Sequence, residues 1–267
     1  YGGASVLAQE VGRRMLERLD LVRVQPARVL DLGSGAGDIA RALLARYPAA
    51  HAISLDFSQN MLRTGHRRPA FWDRWRRAQP VPVCAEMEQL PVADATFDMV
   101  CSNLALEWSA DPDRVLSEVR RVLRRGGLFM FSTLGPDTLQ ELRAAYAGRW
   151  PGPRFADMHD VGDALVRQGF AGPVMDVERI ALTYPDVRAL LEDLRASGSS
   201  GAVRPGSTGL RSRHWLGKLE RGYRAFERDG RLPATFEIVY GHAWKPDQPP
   251  RVTQDGRSVI RFAPRPG

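Results

Sequence analysis

The stretch V-L-D-L-G-S-G-A-G at residues 29–37 holds the residues with the plainest chemistry. Gly33, Gly35 and Gly37 alternate along it, and glycine lets a backbone approach a ligand without side-chain clash. A dinucleotide fingerprint counted from Gly33 needs glycine or alanine at its sixth position, where Asp38 stands. No G-K-[ST] follows, so the turn is not a phosphate loop either. Asp31 stands two residues before the first glycine, where its carboxylate repels a pyrophosphate and suits a positively charged ligand. S-adenosylmethionine, with an ammonium, a sulfonium and no phosphate, is such a ligand. Asp56 closes the next apolar segment about twenty residues on, where a carboxylate can accept both hydroxyls of a ribose.

These residues need a scaffold, and the hydrophobic pattern supplies one. Val6, Leu7, Val11, Met15, Leu16 and Leu19 recur at helical spacing, so residues 4–19 should form an amphipathic helix. Strands are expected at 28–32, 51–55, 81–84, 97–101 and 127–133, with helices from the glycine turn to Tyr47, from Ser58, and over 113–123. Strand and helix alternate, which means a parallel sheet covered on both faces. After Thr133 the pattern changes: 136–147 and 157–168 read as helices, and 174–184 and 234–244 as long alternating strands able to pair antiparallel at a sheet edge. Between those strands lie a short helix, a Gly/Ser-rich loop at 197–209 and an Arg-rich helix over 210–226. The expected fold is α/β, doubly wound, with a mostly parallel seven-stranded sheet, an antiparallel last strand and a helical lid. One domain spans 1–245, with a cofactor-binding core at about 1–134, lid insertions at about 135–171 and 185–232, and closing strands at about 173–184 and 234–244. A tail, 246–267, follows.

Composition narrows the function classes. The chain has 267 residues with 43% hydrophobic and 26% charged residues, ordinary for a globular domain. No apolar run approaches the roughly 20 residues of a membrane span, so a cytoplasmic protein is expected. The net charge of +7 comes almost wholly from arginine, since Lys218 and Lys245 are the only lysines, and its sign favours an acidic partner. Cys84 and Cys101 form neither a C-x-x-C pair nor a Cys/His cluster, so buried free thiols and no metal site are expected. The segment F-W-D-R-W-R-R at 71–77 is the single place where aromatics interleave with arginines. Its spacing is helical, so core packing with outward arginines is favoured over a nucleic-acid face.

Three segments together, D-L-G-S-G-A-G, L-D-F-S-Q-N-M-L and E-M-E-Q-L-P-V-A-D-A-T-F-D, resemble the class I S-adenosylmethionine-dependent methyltransferases. The resemblance implies that Glu86 accepts from the adenine amino group and that Met87 packs on the ring, with Phe57 and Met61 also against the cofactor. Many relatives have Gly-Asp where this chain has Ala85-Glu86. A closer resemblance runs through S-N-L-A-L-E-W at 102–108, F-S-T-L-G-P-D-T-L-Q-E-L-R and Y-G-H-A-W-K. These are similar to the malonyl-acyl-carrier-protein O-methyltransferases of biotin synthesis, over nearly the whole chain to about Lys245. By that pattern Asn103 and Leu104 flank the methionine part of the cofactor, Trp108 walls the site near the transferable methyl, and Tyr1 resembles a tyrosine bordering the cofactor.

The implied substrate is a malonyl thioester on acyl carrier protein or coenzyme A, methylated at its free carboxylate. A carboxyl with a pKa of about 4 is already ionised at neutral pH, so no general base is needed. Catalysis then rests on in-line positioning and exclusion of water. Arg213, in G-L-R-S-R-H-W-L, and Arg154, in P-R-F-A-D, are the candidates to hold the carboxylate by a charge-assisted bond. Arg211, Arg213, Lys218, Arg221 and Arg224 form a basic face suited to an acidic carrier protein. A monomer is expected. The segments T-Y-P-D-V-R-A-L-L-E-D-L and L-P-A-T-F-E-I-V-Y-G-H-A-W also resemble mitochondrial complex I assembly factors, which leaves a protein-binding or arginine-hydroxylating role as the rival. A nucleic-acid methyltransferase and methylation of a free small acid are further alternatives.

Overall fold

The structure is a computed structural model that describes residues 3–65, 79–146, 154–196 and 213–247, without the side chains of 3–5, 196 and 213–215. Tyr1 and the segment 71–77 lie outside the described residues. Five parallel strands form the centre: β1 (Arg28–Leu32), β2 (His51–Asp56), β3 (Val81–Cys84), β4 (Phe97–Asn103) and β5 (Leu123–Leu134). Two long strands complete the sheet, β6 (Ala171–Tyr184) and β7 (Leu232–Trp244). The order is β3-β2-β1-β4-β5-β7-β6, with β7 antiparallel to both its neighbours. The sheet is thus seven-stranded, parallel at its centre as the strand-helix alternation predicts, with the two long alternating segments paired antiparallel at its edge.

Helices cover both faces, because the central strands are apolar on both sides. On one face, α1 (Gly3–Glu17) and α2 (Asp38–Arg46) bury Leu7, Val11, Met15, Ile39 and Leu43 against Val29, Met99 and Met130. On the other, α4 (Pro112–Val122) and α6 (Met158–Arg167) bury Val115, Val119 and Leu165 against Leu30, Val100, Phe129 and Phe131. The short α3 (Gln59–Gly65) follows β2. Pro112 opens α4, where its missing N–H costs nothing, and the Asp111 side chain caps Arg114 N.

The last six pairs of β6 and β7, Arg179↔Glu237 to Tyr184↔Leu232, run beyond the end of β5, whose final partner is Ile238. On this overhang sits a cap of α5 (Gln140–Ala145), α7 (Val187–Ala196) and α8 (Arg213–Tyr223). Leu142, Leu190, Leu194, Leu219 and Tyr223 pack there with Leu232, Ala234 and Phe236. Buried polar groups pin the cap. The Tyr184 hydroxyl donates to Asp193 at 2.7 Å, the Tyr223 hydroxyl to Pro233 O at 2.8 Å, and Thr235 N and Oγ1 both donate to Glu141.

Several expectations change in detail. The helix expected from Pro136 begins only at Gln140. Gly135 N and Thr138 Oγ1 donate to Glu237 O, Leu139 N donates to Thr235 O, and Leu139 is left-handed at φ 57°. Backbone groups held by β7 cannot also start a helix. The first helix ends at Glu17 and tightens into a 3₁₀ turn, Arg18–Leu21. Cys101 is buried, but Cys84 is exposed. Cys84 lies on β3, the edge strand, most of whose residues face water. No helix among the described residues is long and apolar enough to cross a membrane.

Candidate functional site

The carboxyl ends of β1, β2, β3 and β4 bring the glycine turn and its neighbours together. Gly33, Gly35 and Gly37 all adopt positive φ, at 70°, 52° and 77°. Gly33 is doubly required: a Cβ there would lie 2.3 Å from the Ala105 Cβ, so the loop after β4 rests directly on the turn. Gly33 N and Ser34 N both donate to Leu55 O, at 2.8 and 2.9 Å, which locks the turn onto β2.

Two carboxylates face this turn and are held differently. Asp31 is 1% exposed. Its Oδ2 accepts from Ala40 N at 2.9 Å, in the first turn of α2, while Oδ1 is buried with no partner among the described residues. Desolvation pushes its pKa up from 3.8 to about 7, the Ala40 bond opposing. A buried carboxylate with one vacant oxygen is a receptor for a cation. Asp56 is satisfied from within: Oδ2 accepts from Gly35 N at 2.8 Å and Oδ1 from Ser58 N at 2.7 Å. Each oxygen keeps a second lone pair, so the carboxylate can still accept two hydroxyls.

The other predicted cofactor residues gather around these two. Met61 is 37% exposed, and its Cε lies 3.6 Å from where a Cβ on Gly35 would stand. Phe57 is 71% exposed beside Asp56. Ala85 N donates to Asp56 O at 3.2 Å, bringing the chain after β3 to the same place. There Glu86 is exposed, and Met87 is half-buried with its Cε 3.8 Å from the Gly33 Cβ position. Asn103 ends β4, and Leu104 after it is left-handed at φ 49°, a strained setting for a side chain that marks functional loops. Trp108 is 39% exposed on a 3₁₀ turn, Leu106–Trp108, that leaves this loop.

The arginines are placed less directly. Arg154 is exposed in the stretch before α6. Arg213 begins α8, its side chain outside the described residues, as is Arg211. Lys218, Arg221 and Arg224 are exposed on and just after α8.

Two polar residues escaped the sequence reading. Ser34 Oγ is buried inside the turn with no partner among the described residues. Glu107 accepts from Thr133 Oγ1 at 3.2 Å beside Trp108, and burial pushes its pKa up to about 7. The S in D-L-G-S-G and the E before Trp108 are visible in the sequence, but only packing shows how far each is withdrawn from water. Among the described residues no group of three or more His, Cys, Asp or Glu could hold a metal ion.

Sheet order, reversed β7, glycine turn and facing carboxylates define a class I methyltransferase. A family model described as "Methyltransferase domain" matches residues 30–131. A Bacillus halodurans structure, described as a putative methyltransferase, superposes with a TM-score of 0.59 at 18% identity, covering 89% of this chain and 99% of its own. A Haemonchus contortus phosphoethanolamine N-methyltransferase 2, solved in complex with S-adenosyl-L-methionine, gives 0.53 at 17% identity, covering 88% of this chain and 52% of its own. Relatives in sequence are far nearer. A Malonyl-[acyl-carrier protein] O-methyltransferase of Laribacter hongkongensis is 52% identical over 99% of this chain and 91% of its own length. Another, from Gallionella capsiferriformans, is 49% identical over 98% and 91%. The chain belongs to the malonyl-[acyl-carrier protein] O-methyltransferase family.

Proposed function

We propose that this protein transfers a methyl group from S-adenosylmethionine to the free carboxylate of a malonyl thioester on acyl carrier protein, an early step of biotin synthesis. The observation that carries the reading is that the 52% likeness runs over 99% of the chain, and so includes the cap as well as the cofactor core. When bound, S-adenosylmethionine would supply an electrophilic sulfonium methyl for a carboxylate oxygen, with S-adenosylhomocysteine as the product. The residues present fit that cofactor, since Asp31 offers a buried oxygen with no partner among the described residues and the turn presents three glycines at positive φ.

In this reading Asp31 faces the cationic end, and Asp56 takes the ribose hydroxyls while holding Gly35 N in place. Met61, Phe57, Met87 and Glu86 border the adenine. Leu104 shapes the floor at the methionine end, and Trp108 walls the methyl from water. The substrate carboxylate is already ionised, so the chain moves no proton; it orients the nucleophile and keeps water from solvating it. Arg213 or Arg154 holds that carboxylate, and esterification cancels the charge and releases the product. The exposed Lys218, Arg221 and Arg224 receive the acidic carrier protein. The reading carries with it a monomer acting in the cytoplasm.

The test is methyl transfer from labelled S-adenosylmethionine to malonyl-acyl carrier protein, with malonyl-coenzyme A, free malonate and acetyl-acyl carrier protein alongside. Base-labile label on the malonyl carrier and none on the acetyl one is the expected result. Tight cofactor binding with transfer to none of them would overturn the assignment in favour of a protein-binding or hydroxylating role. Alanine at Arg213 or Arg154 should raise KM for the malonyl substrate at unchanged cofactor affinity.

A further inference from the structure

Asn103 stands at the end of β4, yet its carboxamide is engaged away from the glycine turn. Nδ2 donates to Ala8 O of α1 at 2.9 Å, and Oδ1 accepts from Ser132 Oγ at 2.8 Å. Ser132, fully buried on β5, also accepts from Leu104 N at 3.1 Å. One side chain therefore joins the N-terminal half of α1, strand β5 and the left-handed Leu104. A primary amide has two donor hydrogens and two acceptor lone pairs, so half of its capacity is used inside the protein.

Gly12 explains how the two elements come close enough. A Cβ there would lie 2.6 Å from Ile39 Cδ1 and 3.2 Å from Asn103 Nδ2. Glycine inside a helix is less stable than alanine, and the close approach is what it allows here. The C-terminal half of α1 and the 3₁₀ turn that follows it have other anchors. Met15 is fully buried, Arg18 donates to Asp176 at 2.5 Å and stacks 3.7 Å over the Tyr240 ring, and Arg14 pairs with Glu178. The half before Gly12 buries Leu7 and Val11, leaves Val6 57% exposed, and offers the Ala8 carbonyl to the Asn103 carboxamide.

We infer that Asn103 is a positioning residue: its carboxamide latches the N-terminal half of α1 over the methionine end of the cofactor site, and Gly12 is the seat that lets the latch close. The inference rests on the cofactor assignment and not on the malonyl one. Unlatching frees the first turns of α1 while the remainder of the fold keeps its packing.

Asn103→Asp keeps an acceptor for Ser132 but sets an oxygen against Ala8 O. Gly12→Ala forces the same two elements apart from the other side. The measurements are amide hydrogen exchange over residues 7–12 against 13–17, and S-adenosylmethionine affinity by titration calorimetry, with the unaltered protein as control. Each variant should speed exchange at 7–12 and weaken cofactor binding roughly tenfold, the change expected for one buried hydrogen bond. The double variant should bind no worse than the weaker single one, since both break one latch. Weaker binding with unchanged exchange would show that Asn103 touches the cofactor directly and sink the inference. So would faster exchange with unchanged affinity, additive losses, or global loss of protection in both variants. No binding by the unaltered protein would instead overturn the cofactor assignment itself.

Discussion

Replacing Asp31 by asparagine separates what the fold wants from what the ligand wants. Burial lifts this carboxyl from 3.8 to about 7. At about 1.4 kcal/mol per unit, holding it ionised in the empty site costs the fold about 4 kcal/mol. The folded value lies above the unfolded one, so the folded state binds the extra proton and stability falls as pH rises from about 4 through 7. The amide introduced by Asp31→Asn is uncharged at every pH, and its oxygen can still accept from Ala40 N. In urea unfolding the ligand-free variant should therefore be more stable than the unaltered protein at pH 8, by up to that amount, and little changed at pH 4. Cofactor binding should move the opposite way. The unaltered protein should bind S-adenosylmethionine roughly tenfold more weakly at pH 6 than at pH 8, because near pH 6 about nine-tenths of the molecules carry the protonated acid. The variant should bind weakly at both, with no pH slope. Calorimetry at the two pH values, with the urea series beside it, reads both effects. A variant that is less stable at pH 8, or that binds as tightly as the unaltered protein, would refute the assignment of Asp31 as the cation receptor.

Other substitutions test the rest of the site. Gly33→Ala places a Cβ against Ala105 at a positive φ, so cofactor binding should be lost and the denaturation midpoint lowered by the equivalent of about 1–3 kcal/mol. Tyr184→Phe removes the donor to Oδ2 of buried Asp193, whose Oδ1 has no partner among the described residues, and should cost about 1–3 kcal/mol in urea unfolding. Glu107→Gln keeps an acceptor for Thr133 and removes a carboxyl pushed up to about 7, so it should raise stability at pH 8 and change little at pH 4. Charge reversal of Lys218 and Arg221 together should raise KM for malonyl-acyl carrier protein severalfold, leave malonyl-coenzyme A unaffected, and lose its effect in high salt.

The sequence by itself determined the strand-helix alternation, because period-two and period-3.6 apolar patterns are local and a buried parallel strand must be apolar throughout. It also singled out Asp31, the three glycines and Asp56. Their types exclude phosphate and admit a cationic nucleoside, and that chemistry belongs to the residues whatever surrounds them. Tertiary structure decided what depends on neighbours distant in the chain. The loop 135–139 is no helix because β7 takes its backbone groups, and Cys84 is exposed because β3 lies at the sheet edge. The shifted pKa values of Asp31 and Glu107 come from desolvation, which no spacing reveals. Asn103 carries the same lesson: a residue read as flanking the cofactor spends its carboxamide on Ala8 and Ser132, partners 95 and 29 residues away. Hydrogen-bond capacity is written in the residue type, but its destination is set only when the strands and α1 are packed together.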